Sequence, residues 1–376
     1  MRVLHVLNEL RLSGVETMLR AAAGEWRAQG IRGEILCTGE RPGVYAATLR
    51  ESGYIIHHLP FKRSIAFLMA VGEFFWQNRF DAVHIHAERA NFWYAAFAFV
   101  TGHRQIVRSM HSTFHFRGAL RMRRYVQRLV MRRAFGVRMA ACSESVRRLE
   151  WLTYGNPSTV IPNWFDSGRY RPAPCGARAE ARAALAIEAH TLVVCSVGNC
   201  SSVKNHAAVI YAVAALTGRV HVVYLHVGDE GGGEQEKRLA EELGIAGQIR
   251  FLGPQLELGS VFDASDVFVM PSLSEGFGIA AVEAMGAGVP AALADVAGLR
   301  DFRGMDSSIY WIEPSAAGVE SALLHFHQMG ATARQAAGER LSAGAHRQFR
   351  VETGAAQCAA FYRGEQAIPL APKAAA

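Results

Sequence analysis

The sequence predicts an α/β protein made of two doubly wound parallel sheets, and three observations carry that expectation. The chain has 376 residues, too many for one ordinary hydrophobic core, so two domains are the default. Short apolar runs alternate with amphipathic stretches at the spacing of βαβ units. That alternation restarts after a Pro/Ala/Arg-rich stretch at 171–182, which reads as a linker. Half of the residues are hydrophobic, enough for a core in each half.

In the first series, strands are expected at Arg2–Leu7, Gly33–Cys37, Tyr54–Leu59, Ala82–His86, Gln105–Ser109, Arg138–Ala141 and Thr159–Ile161. The second series places them at Thr191–Val197, His221–Val227, Gln248–Leu252, Val267–Met270 and Ala291–Ala294. The expected domains are 1–170 and 171–350, with a helix near 351–365 packing back on the first and a disordered tail at 366–376. Sheets of this kind bind ligands beyond the carboxyl ends of their strands. Two of them facing each other would hold a ligand in the cleft between.

Several classes are set aside early. The best candidate for a membrane span, Phe92 to Val100, is too short to cross a bilayer and reads as a buried helix. The run Val3 to Leu7 soon meets Asn8 and Glu9, which is strand-like and unlike a signal peptide. The cysteines at 37, 142, 175, 195, 200 and 358 lack metal-ligand spacing, so reduced packing residues in a cytoplasmic protein are expected, with no disulfide and no zinc. Charge is uneven. Residues 1–170 hold 24 Lys and Arg against 12 Asp and Glu, a balance of +12, whereas residues 171–376 hold 16 against 21, a balance of −5. That asymmetry points the first half toward a polyanion or an anionic membrane surface.

The most informative segment runs from Pro271 to Glu283, PSLSEGFGIAAVE. A strand-like run leads into a glycine-rich turn and then a helix. The glycines allow close backbone approach, and the free N–H groups of a helix start suit a phosphate. Glu275 on the loop and Glu283 about one turn into the helix can accept hydrogen bonds from hydroxyls on either side. Phosphate between two hydroxyl acceptors fits a nucleotide-sugar. The same segment also mimics a dinucleotide fingerprint, Gly276-x-Gly278-x-x-Ala281 with Asp295 further on. However, Glu275 would direct a carboxylate at the pyrophosphate, and the turn follows the fourth strand of its domain rather than the first.

Glu275 and Glu283, within PSLSEGFGIAAVEAMGAGVP, resemble the signature of the family-four retaining glycosyltransferases of GT-B fold, of the bacterial surface-polysaccharide type. The likeness extends along nearly the whole chain. It takes in Gly14-Val15-Glu16, Asp81 to His86, Ser109 to His111, Cys142 to Glu144, Val160 to Asn163, Val197 to His206 and Val227 to Asp229. The resemblance implies that Glu275 contacts donor-sugar hydroxyls, Glu283 the nucleotide ribose and Lys204 the diphosphate. Gly276, Phe277, Gly278 and Ile279 would supply the backbone around the donor. His111 matches a histidine that faces the donor sugar. The family often has an arginine where this chain has Asn199, and Ser13 replaces the first of two glycines before Glu16. Both departures keep a non-catalytic, nucleotide-sugar-binding reading open.

Lys204 follows the strand ending at Val197, where a cation can neutralise charge growing on a departing phosphate. Gly14 follows the first strand, where backbone can approach donor or acceptor. His111 can bond a hydroxyl or stabilise developing charge, with His84, His86 and His115 as nearby alternatives. The glycines at 231–233 lack the Gly-Lys-Ser/Thr of a P-loop and read as a turn.

Arginines 117, 121, 124, 128 and 132 recur at helical spacing, and Met122, Tyr125, Val126, Leu129 and Val130 supply an apolar side. Such a helix can lie on an anionic membrane through Arg121, Arg124, Arg128 and Arg132, although a solvated face would read the same way. No nucleic-acid motif accompanies it, so nucleic acid is not an expected partner.

The resemblance implies a retaining, metal-independent transferase, and no cofactor is expected. It would use a UDP- or GDP-sugar and act on a glycan or lipid-linked acceptor, in the cytoplasm or peripherally on the inner face of the cytoplasmic membrane. His86 and the arginine helix are candidates on the acceptor side. A nucleotide-sugar epimerase of the same fold is the competing enzyme.

Overall fold

The computed structural model describes residues 1–113, 116–229 and 234–365. His115, the 231–233 glycines and the expected tail lie outside the described residues. The chain divides into two compact units: Met1–Phe165 with the segment from Val351, and Asp166–Arg350.

The first unit runs β1 (Arg2–Leu7), α1 (Gly14–Ala28), β2 (Arg32–Cys37), α2 (Ala46–Glu51), β3 (Ile55–His58), α3 (Ile65–Gln77), β4 (Ala82–Ile85), α4 (Asn91–Val100), β5 (Gln105–Met110), α5 (Gly118–Arg133), β6 (Arg138–Ala141), α6 (Glu144–Tyr154) and β7 (Thr159–Val160). Its sheet has the order β3-β2-β1-β4-β5-β6-β7, all parallel. Strands such as Val3 to Leu7 and Ala82 to Ile85 are buried along their length. Their continuous apolar runs follow from helices covering both faces. Ser64 and Ser143 begin α3 and α6 by accepting the N–H groups of Phe67 and Val146, which satisfies donors that a helix start leaves free.

The second unit runs α7 (Ala177–Ala184), β8 (Leu192–Val197), α8 (His206–Leu216), β9 (Val222–Val227), α9 (Gln235–Glu242), β10 (Ile249–Phe251), α10 (Gly259–Ala264), β11 (Val267–Met270), α11 (Ile279–Gly286), β12 (Ala291–Ala294), β13 (Tyr310–Ile312), α12 (Ala316–Met329) and α13 (Ala331–Phe349). Its order is β10-β9-β8-β11-β12-β13, again all parallel. In both sheets the first strand of the unit lies inside, which is the doubly wound arrangement.

The final helix, α14 (Val351–Tyr362), belongs to the first unit. The Trp26 indole N–H donates to Ala355 O at 3.1 Å. Gly354 leaves room for Trp164, whose ring carbon would lie 2.2 Å from any Cβ at that position.

Three details differ from the sequence expectation. The first unit ends at Phe165 rather than near residue 170. Tyr170 belongs to the second unit, where its ring packs edge-on against Phe262 and its carbonyl meets His346 Nε2 at 3.0 Å. The 171–182 stretch is only partly a linker. Residues from Ala177 form α7, held by Arg178 and Arg182 on buried Asp266, a carboxylate that Arg334 also reaches. Finally, β13 adds a strand that the sequence did not announce.

Candidate active site

The candidate donor site is built from the loops that leave β8 and β11. Asn205 adopts the left-handed conformation, with φ 56°, and its side-chain N–H groups donate to Pro271 O at 3.1 Å and Pro314 O at 3.0 Å. Leu273 N–H donates to Val203 O at 2.8 Å. These bonds fasten the two loops together. Lys204 Nζ therefore reaches Glu275 Oε1 at 2.7 Å, and Ser272 Oγ donates to the same oxygen at 2.7 Å. Sequence reading assigned Lys204 and Glu275 separate roles, and the structure brings them into one ion pair. Both remain partly accessible, Lys204 at 29% and Glu275 at 11% of the side chain.

The turn between Glu275 and α11 is held open by glycine. Gly278 has φ +88°, and a Cβ there would lie 2.6 Å from Leu299 Cδ2. Gly298, at φ +86°, packs under the same turn, where a Cβ would lie 2.4 Å from Glu275 O. Only glycine fits both the backbone conformation and the space. The start of α11 follows this turn, and the N–H groups that a helix start leaves free suit an anion.

Glu283 lies one turn into α11 and is buried, at 7% exposure. Burial raises its carboxyl to about 7, Asp166 pushes it the same way, and Arg169 opposes them. Arg169 itself ion-pairs with Asp166 and Glu257. The site therefore offers a hydroxyl partner whose charge is sensitive to what binds beside it.

In the first unit, histidines form a row that runs from inside β1 and β4 to just past the carboxyl ends of β4 and β5. His5 and His84 are register neighbours on β1 and β4. His86 lies two residues beyond His84, on the same face by strand alternation. His5 Nδ1 and His86 Nε2 are 3.1 Å apart, and His86 Nδ1 and His111 Nε2 are 2.9 Å apart. His84 is held by Tyr362 Oη and Ser109 Oγ, each at 2.7 Å. Burial lowers His111 to about 4 and His5 to about 3, and holds His84 and His86 well below the usual imidazole range. The row is therefore neutral near pH 7.

His5, His84 and His86 each bring a ring nitrogen within 4.8 Å of the others. Their hydrogen bonds use every ring nitrogen except His5 Nε2. A metal ion there would have to displace them.

Residues 177–334 match the family of glycosyl transferases group 1, and residues 12–169 match glycosyltransferase family 4. Between them the two matches reach both sheets, with β1 lying before the first. The chain belongs to the family-four-type GT-B glycosyltransferases. The candidate glycosyltransferase EpsF of Bacillus subtilis (strain 168) is 28% identical over 310 residues, 78% of this chain and 79% of that protein. Among solved structures, Anabaena Alr3699/HepE in complex with UDP-glucose superposes with a TM-score of 0.81 at 19% identity, covering 97% of this chain and 100% of that one. WaaG, a glycosyltransferase involved in lipopolysaccharide biosynthesis, does so with 0.75 at 16% identity, covering 97% and 100%. These likenesses concern the fold.

Several expected contacts of this glycosyltransferase change once its side chains are placed. The Phe277 ring is buried and meets Phe302 and Phe349 edge-on at 5.2 and 5.3 Å. It anchors the turn to the core, which leaves only its backbone for a ligand. Gly276 and Gly278 are buried beside it and Ile279 is half-buried. Asn199 Oδ1 accepts the N–H of Asp229 at 3.1 Å, so the residue that replaces the family arginine ties two loops together. Asp295, the acidic residue of the dinucleotide mimic, pairs with Arg300 and Arg303. Gly14 is the first residue of α1. Below it Ser13 Oγ donates to Glu16, whose carboxyl burial raises to about 7.

The arginine helix is turned over relative to expectation. Arg128 is 2% exposed and grips Glu150 with two bonds of 2.7 and 2.8 Å beneath the Tyr154 ring. Arg124 is half-buried, 3.9 Å from Glu88 and stacked over Phe116, and Arg132 is also half-buried. Meanwhile Met122, Tyr125, Val126 and Leu129 are exposed. The buried Glu150 and half-buried Glu88 draw the guanidinium groups inward, and the apolar residues face out. Of the arginines expected on the surface, Arg121 is there.

Sequence reading missed Asn205, Ser272 and His5. A polar residue next to the expected lysine and a histidine inside an apolar strand were the available signals.

Proposed function

We propose that the chain transfers a sugar from a UDP- or GDP-sugar to a glycan or lipid-linked acceptor in surface-polysaccharide or lipopolysaccharide assembly, with retention of anomeric configuration and without a metal. The observation that carries this reading is the cluster at the entrance of α11. Lys204, Glu275 and Ser272 meet there, one helical turn before the buried Glu283. The diphosphate lies against the α11 N-terminus and Lys204. The ribose hydroxyls bond Glu283, and the sugar hydroxyls bond Glu275. A phosphate displacing Glu275 from Lys204 frees that carboxylate for the sugar.

As the glycosidic bond breaks, negative charge gathers on the phosphate, where Lys204 and the helix start stabilise it. The departing phosphate then accepts the acceptor's proton on the same face. His111 bonds a sugar hydroxyl from the first unit. The UDP-glucose held by Alr3699/HepE and the lipopolysaccharide role of WaaG support the choice of donor and pathway class.

The membrane reading rests on α5. Its outward Met122, Tyr125, Val126 and Leu129, beside exposed Arg121, Arg123 and Arg133, suit an anionic lipid surface better than an arginine face alone. Each basic residue near such a surface contributes about 1 kcal/mol. No helix among the described residues is long and apolar enough to cross a membrane.

The test is proton NMR of UDP- and GDP-sugars incubated with the protein, with and without a lipid-linked acceptor extract. Acceptor-dependent release of nucleotide, with an α-linked product from an α-linked donor, supports the proposal. Conversion of donor alone to a new sugar nucleotide would identify an epimerase instead.

A further inference from the structure

The loop from Gly198 to His206 carries one permanent cation, Lys204. Asn199 is neutral, and its side chain accepts the Asp229 N–H. His206 is neutral near pH 7, because burial, then the nearby His226 and Lys204, lower it to about 3. The Lys204 stem packs against Gly198, where a Cβ would lie 3.3 Å from its Cδ and Cε.

That cation already has an anion. Lys204 Nζ lies 2.7 Å from Glu275 Oε1, and the buried Ser272 Oγ donates to the same oxygen at 2.7 Å. A diphosphate arriving at Lys204 therefore meets a carboxylate that holds the same partner. If both stay on the ammonium, two anions sit side by side and disfavour each other. If Glu275 lets go, it loses a charge-assisted bond. Either way the phosphate binds more weakly than it would to an unpaired lysine. A sugar nucleotide offsets this loss, since its sugar hydroxyls offer Glu275 new donors. A nucleoside diphosphate brings no such donors, and its terminal phosphate carries more negative charge.

We propose that Glu275 competes with phosphate for Lys204, so that the site favours the sugar nucleotide over the nucleoside diphosphate left after transfer and helps expel that product. This deepens the donor-site reading above and rests on it, because it takes Lys204 as the partner of the diphosphate. While the sugar is attached, its hydroxyls keep Glu275 off the lysine. Once the sugar has passed to the acceptor, Glu275 returns to Lys204 and the nucleoside diphosphate is displaced. Glu275 is thus a specificity residue as well as a sugar contact, with Ser272 holding the carboxylate from the buried side.

The experiment is isothermal titration calorimetry of the full chain with UDP, GDP and a panel of UDP- and GDP-sugars. It compares the unmutated protein, Glu275→Gln, Lys204→Met and the double variant. Glutamine keeps the shape and removes the charge. Glu275→Gln is expected to bind the nucleoside diphosphate roughly fivefold tighter or more, with a smaller gain or a loss for at least one sugar nucleotide of the same base. No gain, or equal gains for the nucleoside diphosphate and every sugar nucleotide, would overturn the proposal. The double variant separates competition from simple charge removal. Without Lys204, Glu275→Gln should bring no gain, or neither protein should bind. A gain of the same size, or binding restored, without Lys204 would show that Glu275 repels phosphate by its charge alone, which also overturns the proposal. If no nucleotide binds the unmutated protein or Glu275→Gln, the donor-site reading itself fails and takes the proposal with it.

Discussion

Replacing Glu283 with glutamine should make the protein more stable in alkaline buffer and leave it nearly unchanged in acid. The Glu283 carboxyl rises from 4.5 to about 7 in the folded chain, first because it is buried, then because Asp166 lies near it, with Arg169 working against both. The folded state therefore holds this proton more tightly than the unfolded chain. Below pH 4.5 both states are protonated and the side chain has little effect. Between 4.5 and 7 the unfolded chain ionises first, so stability falls as pH rises, and above 7 the whole cost is present.

At 1.36 kcal/mol per pKa unit, the full effect is about 3 kcal/mol. Glutamine keeps the shape and carries no charge at any pH. For a unit the size of Asp166–Arg350, each kcal/mol moves the melting temperature by roughly 2–4 °C. Glu283→Gln should then melt roughly 6–12 °C above the unmutated protein at pH 8.5 and within about 3 °C of it at pH 5. Differential scanning calorimetry at the two pH values is the assay. An equal gain at both, or none at pH 8.5, would refute the claim that a buried, reluctantly ionised carboxyl sits one turn into α11.

Other substitutions separate structural from functional roles. Arg128→Met leaves Glu150 buried without its partner and should cost about 3–5 kcal/mol, whereas Arg121→Gln should stay within about 0.5 kcal/mol; denaturant titration compares them. Gly278→Ala forces a side chain into a left-handed position against Leu299. It should cost about 1–3 kcal/mol and weaken donor binding, read by thermal melts and calorimetric titration. Lys204→Ala removes the charge opposite the departing phosphate and should lower kcat about 10²–10³-fold. Release of free nucleotide from the donor measures that change.

The sheets were legible because parallel strands covered on both faces are written as unbroken apolar runs. β13 was not, since Tyr310-Trp311-Ile312 is too short to show a period. The α5 spacing placed several arginines along one face correctly but could not say which way that face points. That depends on Glu88 and Glu150, which reach it from other parts of the chain. For Glu283 the signal was present: α11 reads IAAVEAMG, apolar all round, and a helix of that kind is buried. The turn from Glu275 to Ile279 could be read from its glycines, but the inward Phe277 could not, because its aromatic partners come from distant parts of the unit. The histidine row needed the register of β1 against β4, which no local pattern contains.

The most direct measurement is thermal-shift binding of UDP-, GDP-, ADP- and CMP-sugars to the unmutated protein and to Glu283→Ala. One donor class should raise the melting temperature, and the rise should be lost in Glu283→Ala. A response to NAD with none to any sugar nucleotide would contradict the account and make the Gly276 to Gly278 turn a dinucleotide site.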